Sequence, residues 1–169
     1  MNSKVNIVPA ERKDLPVISL LAPDIWRHAY CGILSDEQIS YMLDMMYAPE
    51  KLEAAFDSGT VFRLVEHDGD TAGFFACYEL PDDRTVLKLD KLYLKPEFHG
   101  RGIGSFVLEY LTGCASDAGY AKLTLNVNKA NAKAIKVYTK NGFKKKQSVR
   151  LDIGSGFFMD DHIMEKKLI

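Results

Sequence analysis

A glycine-rich loop is the segment of this chain whose residues are best suited to chemistry. Gly100, Gly102 and Gly104 stand around Arg101, after a β-type run that ends at Pro96. Glycines leave the backbone accessible to an anion, and the first N–H groups of a following helix have no partner within that helix. The helix dipole and the guanidinium add positive charge. Since a plain turn needs only one glycine, the pattern predicts a phosphate-binding loop.

Two common phosphate loops do not fit this segment. The sequence contains no Gly-x-x-x-x-Gly-Lys-Ser/Thr run, which excludes a P-loop nucleotide hydrolase. The dinucleotide pattern Gly-x-Gly-x-x-Gly fails because Ser105 stands where its third glycine belongs. The loop also does not follow the first strand of the chain, so another class of phosphate-containing ligand is indicated.

A second motif lies downstream and reads Asn-x-x-Ala-x-x-x-Tyr-x-x-x-Gly-Phe. Its positions are occupied by Asn131, Ala134, Tyr138, Gly142 and Phe143. With the glycine loop it resembles the GNAT superfamily of acyl-CoA-dependent N-acetyltransferases, whose loop reads Gln/Arg-x-x-Gly-x-Gly/Ala. The resemblance covers residues 60–145, with one departure, because a histidine stands at position 99 where the family usually has Gln or Arg. Residues 156–165 look like the ending of polyamine-acetylating bacterial members.

The resemblance implies a fold, a co-substrate and a set of binding residues. The implied fold is mixed α/β: the GNAT fold, a single splayed, mostly antiparallel sheet with helices on both faces, forming one domain over residues 1–169. Acetyl-CoA would lay its pyrophosphate on the loop and its pantetheine arm along one strand, as an added strand does. The residues implied in binding it are Leu92, Tyr93, Leu94, His99, Gly100, Arg101, Gly102, Ile103, Gly104, Ser105, Asn131 and Tyr138.

Acetyl transfer to an amine needs a proton donor for the leaving thiolate and a base for the amine. Tyr138 is the expected acid, because it follows Asn131 by two helical turns on the same face and a phenol can donate a proton. The alternative is that Tyr138 is a core tyrosine. Asp90, in the strand that leads to the loop, and Glu79, at the end of the preceding strand, are candidate bases, directly or through water. For each carboxylate the alternative is a solvated residue or a surface ion pair.

A small polyamine or diamine is the expected acceptor, acetylated directly without a covalent enzyme intermediate. It is favoured by the C-terminal likeness and by acidic residues near the presumed pocket, namely Asp36, Glu37, Asp82, Asp83, Asp160 and Asp161. A peptide or protein amino group and a non-catalytic acyl-CoA-binding module stay open as alternatives. Asp160-Asp161-His162 is interpreted as a charged strand rim rather than a metal or cation site, and no metal is expected. Trp26 and Tyr30 belong either to an acceptor pocket or to the core.

Hydrophobic spacing predicts the elements that position these residues. Helices are predicted from Asp14 to Pro23, behind a Ser35 cap, over Pro49–Asp57, from Gly102 through Cys114, and over Asn131–Lys140. Strands are predicted over Val5–Val8, Val61–Glu66, Thr71–Tyr78, Val86–Leu94, Lys122–Val127, Phe143–Val149 and Phe157–Lys166. Asp68-Gly69 predicts a tight hairpin turn, with His67 beside it facing solvent.

Composition narrows the class of protein. The chain has 169 residues, enough for one domain, and its 22 basic and 23 acidic residues leave no excess charge for a general nucleic-acid or membrane-surface binder. No apolar run approaches the roughly 20 residues of a membrane span. Cys31, Cys77 and Cys114 form no CxxC pair. These features predict a cytoplasmic protein with reduced thiols and neither nucleic-acid nor membrane partners; the family resemblance adds homodimerisation as an expectation.

Overall fold

The computed structural model describes residues 4–169. Its elements are β1 Val5–Pro9, α1 Leu15–Ala29, α2 Asp36–Tyr47, α3 Pro49–Asp57, β2 Val61–His67, β3 Asp70–Leu80, β4 Asp83–Leu94, α4 Ile103–Asp117, β5 Lys122–Asn128, α5 Ala132–Lys140, β6 Lys144–Gly154 and β7 Phe157–Lys167. The strand order is β1-β2-β3-β4-β5-β7-β6. The β4–β5 pair is parallel, whereas β1–β2, β2–β3, β5–β7 and β6–β7 are antiparallel. A mixed α/β fold with a mostly antiparallel sheet is thereby confirmed.

The chain divides into two compact units. One runs to Tyr78 and resumes over Lys91–Ile103; the other comprises Glu79–Asp90 and Gly104–Ile169. Strands β3 and β4 and helix α4 therefore each contribute residues to both units. The expectation of one domain over residues 1–169 stays a prediction.

Helix α1 of the first unit extends past the proline that was expected to end it. Pro23 cannot donate a backbone hydrogen bond, yet the helix continues to Ala29. The residues beyond the proline belong to the core, because Ile25 and Trp26 are almost fully buried and the Trp26 indole donates to the Tyr47 hydroxyl at 3.1 Å. The predicted end at Pro23 is therefore wrong, since this packing outweighs one lost backbone hydrogen bond.

The β2–β3 hairpin turns at Asp68 and Gly69, as predicted. Both residues have positive φ, 53° and 93°, which matches a tight turn to the right-handed twist of the strands. The expectation for His67 is wrong: its exposed fraction is only 7%, and its ring packs 5.6 Å from that of Phe98, centroid to centroid. The aromatic residue that covers it is distant in sequence, so the turn alone could not reveal the burial.

The second unit is organised around the parallel β4–β5 pair and the β6–β7 hairpin. The parallel pairing covers Val86–Leu89 and Lys122–Leu125, although β4 runs on to Leu94 and β5 to Asn128. Strand β7 pairs along the whole length of β5, and the tight turn at residues 155 and 156 returns the chain from β6 to β7. The apolar core of this unit includes Leu89, Val107, Leu108, Leu111, Leu123 and Leu125.

Candidate active site

The glycine loop of the first unit has the geometry that anion binding requires. Gly100 and Gly102 have φ of 73° and 77°, a region that favours glycine, and a Cβ at either position would meet nothing within 4 Å. The backbone is therefore open to a ligand. Helix α4 begins directly afterwards at Ile103, which anchors the loop by its buried side chain. An open glycine backbone at the start of a 15-residue helix suits a diphosphate such as that of coenzyme A.

Two side chains of the loop are held by the protein itself. The Nε2 atom of His99 donates to the Leu94 carbonyl at 2.9 Å, which ties the loop to the end of β4. The Arg101 guanidinium lies 5.5 Å from the centre of the Phe98 ring, in a cation–π geometry. At position 99, where the family usually has Gln or Arg, this chain therefore uses histidine to brace the loop.

Aromatic side chains fix the end of β4 within the same unit. The hydroxyl of Tyr93 lies 2.9 Å from that of Tyr30, and its ring centre lies 5.5 Å from Trp26 and 6.0 Å from Phe74. Trp26 is 2% exposed and Tyr30 is also buried. Of the two interpretations of Trp26 and Tyr30, the structure supports a core role: they support the strand that was predicted to carry the pantetheine arm.

Gly73 is a positioning residue that the motif analysis missed. It lies in β3, where an added Cβ would overlap the Tyr93 carbonyl oxygen and stand 2.9 Å from the Cα of Leu94. The neighbouring Ala72 carbonyl accepts a hydrogen bond from the Lys95 backbone N–H at 2.8 Å. A lone glycine inside a strand pattern is the sequence signal for such a close backbone approach.

Helix α5 and the first turn of α4 lie together in the second unit. Asn131 caps α5, its Oδ1 accepting from the Ala134 N–H at 3.2 Å. At the other end of α5, the Asn141 side-chain amide donates to the Ser105 hydroxyl at 3.0 Å. The ring of Tyr138 packs edge-on against Phe143, with 5.9 Å between centroids. Asn131 thus caps α5, and α5 holds Tyr138 near its Ser105-anchored end.

The two candidate bases lie in different surroundings. Glu79 accepts a hydrogen bond from the Tyr120 hydroxyl at 3.3 Å and pairs with Arg84 at 3.5 Å, with 40% of its side chain exposed. Arg84, the partner of Glu79, lies six residues before Asp90 on the extended strand β4. About 20 Å of strand therefore separate Arg84 from Asp90. Asp90 instead acts electrostatically on Lys88 and lies two residues before Leu92. The geometry favours Asp90 over Glu79 as a group near the end of β4.

A polar cluster on β4, β5 and β7 is the second feature that sequence reasoning missed. Asp161 is only 5% exposed and hydrogen-bonds the Asn126 side chain, whose Oδ1 accepts from the Lys88 ammonium. Burial raises the pKa of Asp161, against the opposing effects of Asn126 and Lys88. Burial also lowers the pKa of Lys88, and the negative charges of Asp90 and Asp161 oppose this shift. Within the charged strand rim predicted for Asp160-Asp161-His162, Asp161 is therefore buried, whereas Asp160 pairs at the surface with Lys129.

Two further properties concern the described part of the chain. Across residues 4–169, every helix is too short or too polar to span a lipid bilayer. In that same range no group of three or more His, Cys, Asp or Glu side chains is arranged to hold a metal ion.

Sequence comparison decides the family. The model of the acetyltransferase (GNAT) family matches residues 24–143. The chain belongs to the GNAT acetyltransferase family. An uncharacterised N-acetyltransferase of Mycobacterium tuberculosis is 34% identical over 137 residues, which cover 80% of this chain and 86% of the relative. The spermidine N(1)-acetyltransferase of Thermoplasma acidophilum is 31% identical over 160 residues, 92% of each chain.

Solved GNAT structures share the fold along nearly the whole chain. The PaiA N-acetyltransferase from Thermoplasma acidophilum, crystallised in complex with coenzyme A, superposes with a TM-score of 0.80 at 27% identity and covers 97% of this chain and 99% of its own. The GNAT fold and an acetyl-CoA-dependent N-acetyltransferase activity are thus confirmed for this chain.

Proposed function

We propose that this GNAT enzyme acetylates a primary amino group of a small polyamine or diamine. The observation that carries this proposal is the match to a spermidine N(1)-acetyltransferase, 31% identical over 160 residues that cover 92% of both chains. Strand β7, in the C-terminal part of this chain, carries the buried Asp161. A carboxylate held out of water is a suitable partner for a cationic substrate.

The proposed reaction is direct transfer from thioester to amine. The amine nitrogen forms a bond to the acetyl carbon, the carbon–sulfur bond breaks, and the amine loses a proton to the enzyme. Tyr138 donates a proton to the leaving thiolate, and Asp90 accepts the proton from the amine, directly or through water. Tyr138 is supported by its place on α5, in the helix that Asn141 ties to Ser105.

Acetyl-CoA is proposed to bind through the backbone rather than through a set of charged side chains. The loop residues are His99, Gly100, Arg101, Gly102, Ile103, Gly104 and Ser105, with Leu92, Tyr93 and Leu94 along the pantetheine arm and Asn131 beside it. The support is the positive φ at two loop glycines, the open space above them and the bracing of β4 by buried aromatics. A homodimer in the cytoplasm is part of the same proposal.

Thermal unfolding with and without acetyl-CoA, with NAD as the control ligand, tests the proposed binding of the acetyl donor. Ligand at 100 times its Kd should add about 2.7 kcal/mol to the free energy of unfolding. For a chain of this length that corresponds to a shift of roughly 5–10 °C. A shift with acetyl-CoA alone supports the loop assignment, and no shift at millimolar ligand would refute it.

Thiol release from acetyl-CoA in the presence of spermidine, putrescine or a panel of peptides tests the acceptor half. Turnover on the polyamines is the expected result. Activity confined to peptides would replace the polyamine with a peptide or protein amino group. Binding of acetyl-CoA without thiol release on any amine would mean that the chain only binds the acyl-CoA.

A further inference from the structure

The end of helix α1 lies against the segment that leads from β4 into the glycine loop. The Trp26 ring centre lies 5.5 Å from that of Tyr93, and the hydroxyl of the C-cap residue Tyr30 lies 2.9 Å from the Tyr93 hydroxyl. Further along, the His28 ring meets the His99 ring edge-on, with 5.8 Å between centroids and 66° between planes. The end of α1 therefore contacts both the end of β4 and the start of the loop, all within the first compact unit.

His99 is held from two sides. Its Nε2 atom donates to the Leu94 carbonyl, and its ring packs on His28 at a distance and tilt that aromatic pairs favour. Both histidines are exposed at the surface, where an unattached side chain would rotate between rotamers. Two contacts from different elements restrict that rotation. His99 is thereby fixed directly before Gly100, where the open backbone of the loop begins.

The rigid partner in this contact is α1 rather than the loop. Trp26 and Tyr30, on either side of His28 in sequence, are buried, and the Trp26 indole donates a hydrogen bond to the Tyr47 hydroxyl. They follow Pro23, in the part of α1 and its C-cap that the core holds in place. The backbone of His28 is therefore fixed. A contact between a fixed ring and a glycine-rich segment orders the segment, because glycine has the most conformational freedom to lose.

We propose that His28 is a positioning residue for acetyl-CoA, which acts through His99 to hold the glycine loop in the conformation that receives the diphosphate. The inference rests on the proposed function, because it takes the loop as the diphosphate site, and it deepens that proposal by extending the binding machinery to α1. A loop that is ordered before its ligand arrives loses less conformational freedom on binding. His28 acts on the loop alone, so it changes the affinity for acetyl-CoA and leaves the chemical step as it is.

Calorimetric binding of acetyl-CoA to His28→Ala tests the proposal. We expect the Kd to rise about three- to tenfold, the loss typical of one side chain that must be ordered on binding. In steady-state kinetics the KM for acetyl-CoA should rise, whereas kcat and the KM for spermidine should match the wild type. Leu20→Ala, at a residue of α1 that is 80% exposed, is the control and should match the wild type throughout. An unchanged Kd in His28→Ala would overturn the proposal.

His28→Phe separates the ring contact from other consequences of removing the histidine. A phenyl ring can pack edge-on against His99 as the imidazole does, so the Kd for acetyl-CoA should stay within about twofold of the wild type. A Kd as weak as that of His28→Ala would show that ring packing is not the cause. The ligand-free His28→Ala protein should unfold at the same temperature as Leu20→Ala. A much lower unfolding temperature would assign His28 to the stability of α1 and overturn its positioning role.

A double-mutant cycle tests whether His28 acts through His99. His99→Ala should weaken acetyl-CoA binding by itself, because it removes both the hydrogen bond to Leu94 and the ring contact. In that background, adding His28→Ala should change the Kd by less than about twofold, the usual error of additivity. The same penalty for His28→Ala in both backgrounds would mean that the two residues act independently, which contradicts the proposal.

The two levels of inference fail in different ways. A wild type that does not bind acetyl-CoA would refute the loop assignment and the proposed function with it. A wild type that binds acetyl-CoA and acetylates spermidine, with His28→Ala equal to it in Kd, would refute only the role of His28.

Discussion

The glycine-loop region of the first unit and the polar cluster of the second unit solve different physical problems. The loop region presents backbone that side chains brace: Tyr93 packs among buried aromatics, His99 hydrogen-bonds the Leu94 carbonyl, and Arg101 packs on Phe98. The cluster presents ionisable side chains, with Asp161 buried and Lys88 beside it. A ligand with many hydrogen-bond acceptors suits the first arrangement, and a small cation suits the second.

This difference predicts how each region responds to change. A site built from backbone tolerates side-chain substitution and fails when a Cβ displaces a strand. A site built from buried charges keeps its shape but responds to single isosteric substitutions and to pH. The following predictions test that distinction, from the largest expected effect to the smallest.

Tyr138→Phe should have the largest effect, because it removes the proposed proton donor and leaves the packing on Phe143 intact. We expect kcat to fall about 10²- to 10⁴-fold with no change in the Kd for acetyl-CoA. Tyr110→Phe, at a tyrosine of α4 that is 38% exposed, is the control. Unchanged turnover in Tyr138→Phe would assign it to the core rather than to catalysis.

Asp90→Asn should lower kcat/KM about 100-fold, because it removes the proposed catalytic base. Glu79→Gln should match the wild type, since Glu79 pairs with Arg84 near the start of β4. The measurement is the pH–rate profile of each variant. An altered profile in Glu79→Gln, with a normal one in Asp90→Asn, would reverse the assignment of the base.

Gly73→Ala tests the region built from backbone. The new Cβ overlaps the Tyr93 carbonyl oxygen, so β3 or β4 must move. We expect a loss of about 1–3 kcal/mol in the free energy of unfolding and about tenfold weaker acetyl-CoA binding. Gly113→Ala in α4, where a Cβ meets nothing within 4 Å, should instead gain about 0.5–1 kcal/mol. Equal behaviour of the two variants would mean that the close approach at Gly73 has no role.

The smallest expected effect is on stability. The difference in the free energy of unfolding between Asp161→Asn and the wild type should depend on pH. The folded pKa of Asp161 is raised above its ordinary value of 3.8, so the folded state binds the proton more tightly than the unfolded state. As pH falls from that raised value toward 3.8, the wild type should therefore gain stability relative to Asp161→Asn. Chemical denaturation between about pH 4 and pH 7 measures this, with Asp160→Asn as reference. If the wild type instead lost stability relative to Asp161→Asn as the pH fell, burial could not be the cause of the raised pKa.

The loop and the α5 motif were predictable because their signals are local. Positive φ at Gly100 and Gly102, and the Asn131 cap, depend on the conformation of a few consecutive residues. The hairpin at Asp68-Gly69 formed where its turn residues indicated for the same reason. Such patterns also sufficed to indicate the GNAT family, which the family model then confirmed.

Burial and charge pairing were decided by the tertiary structure. Pro23 lies inside a helix and His67 is covered by Phe98, because packing between distant segments outweighs a local signal. Lys88 and Asn126 are 38 positions apart and meet only through the β4–β5 register. The sequence by itself determined the backbone of the loop and the helix that follows it. The environment of Asp161 depended on strand register, since the free energy of a charge is set by what surrounds it in space.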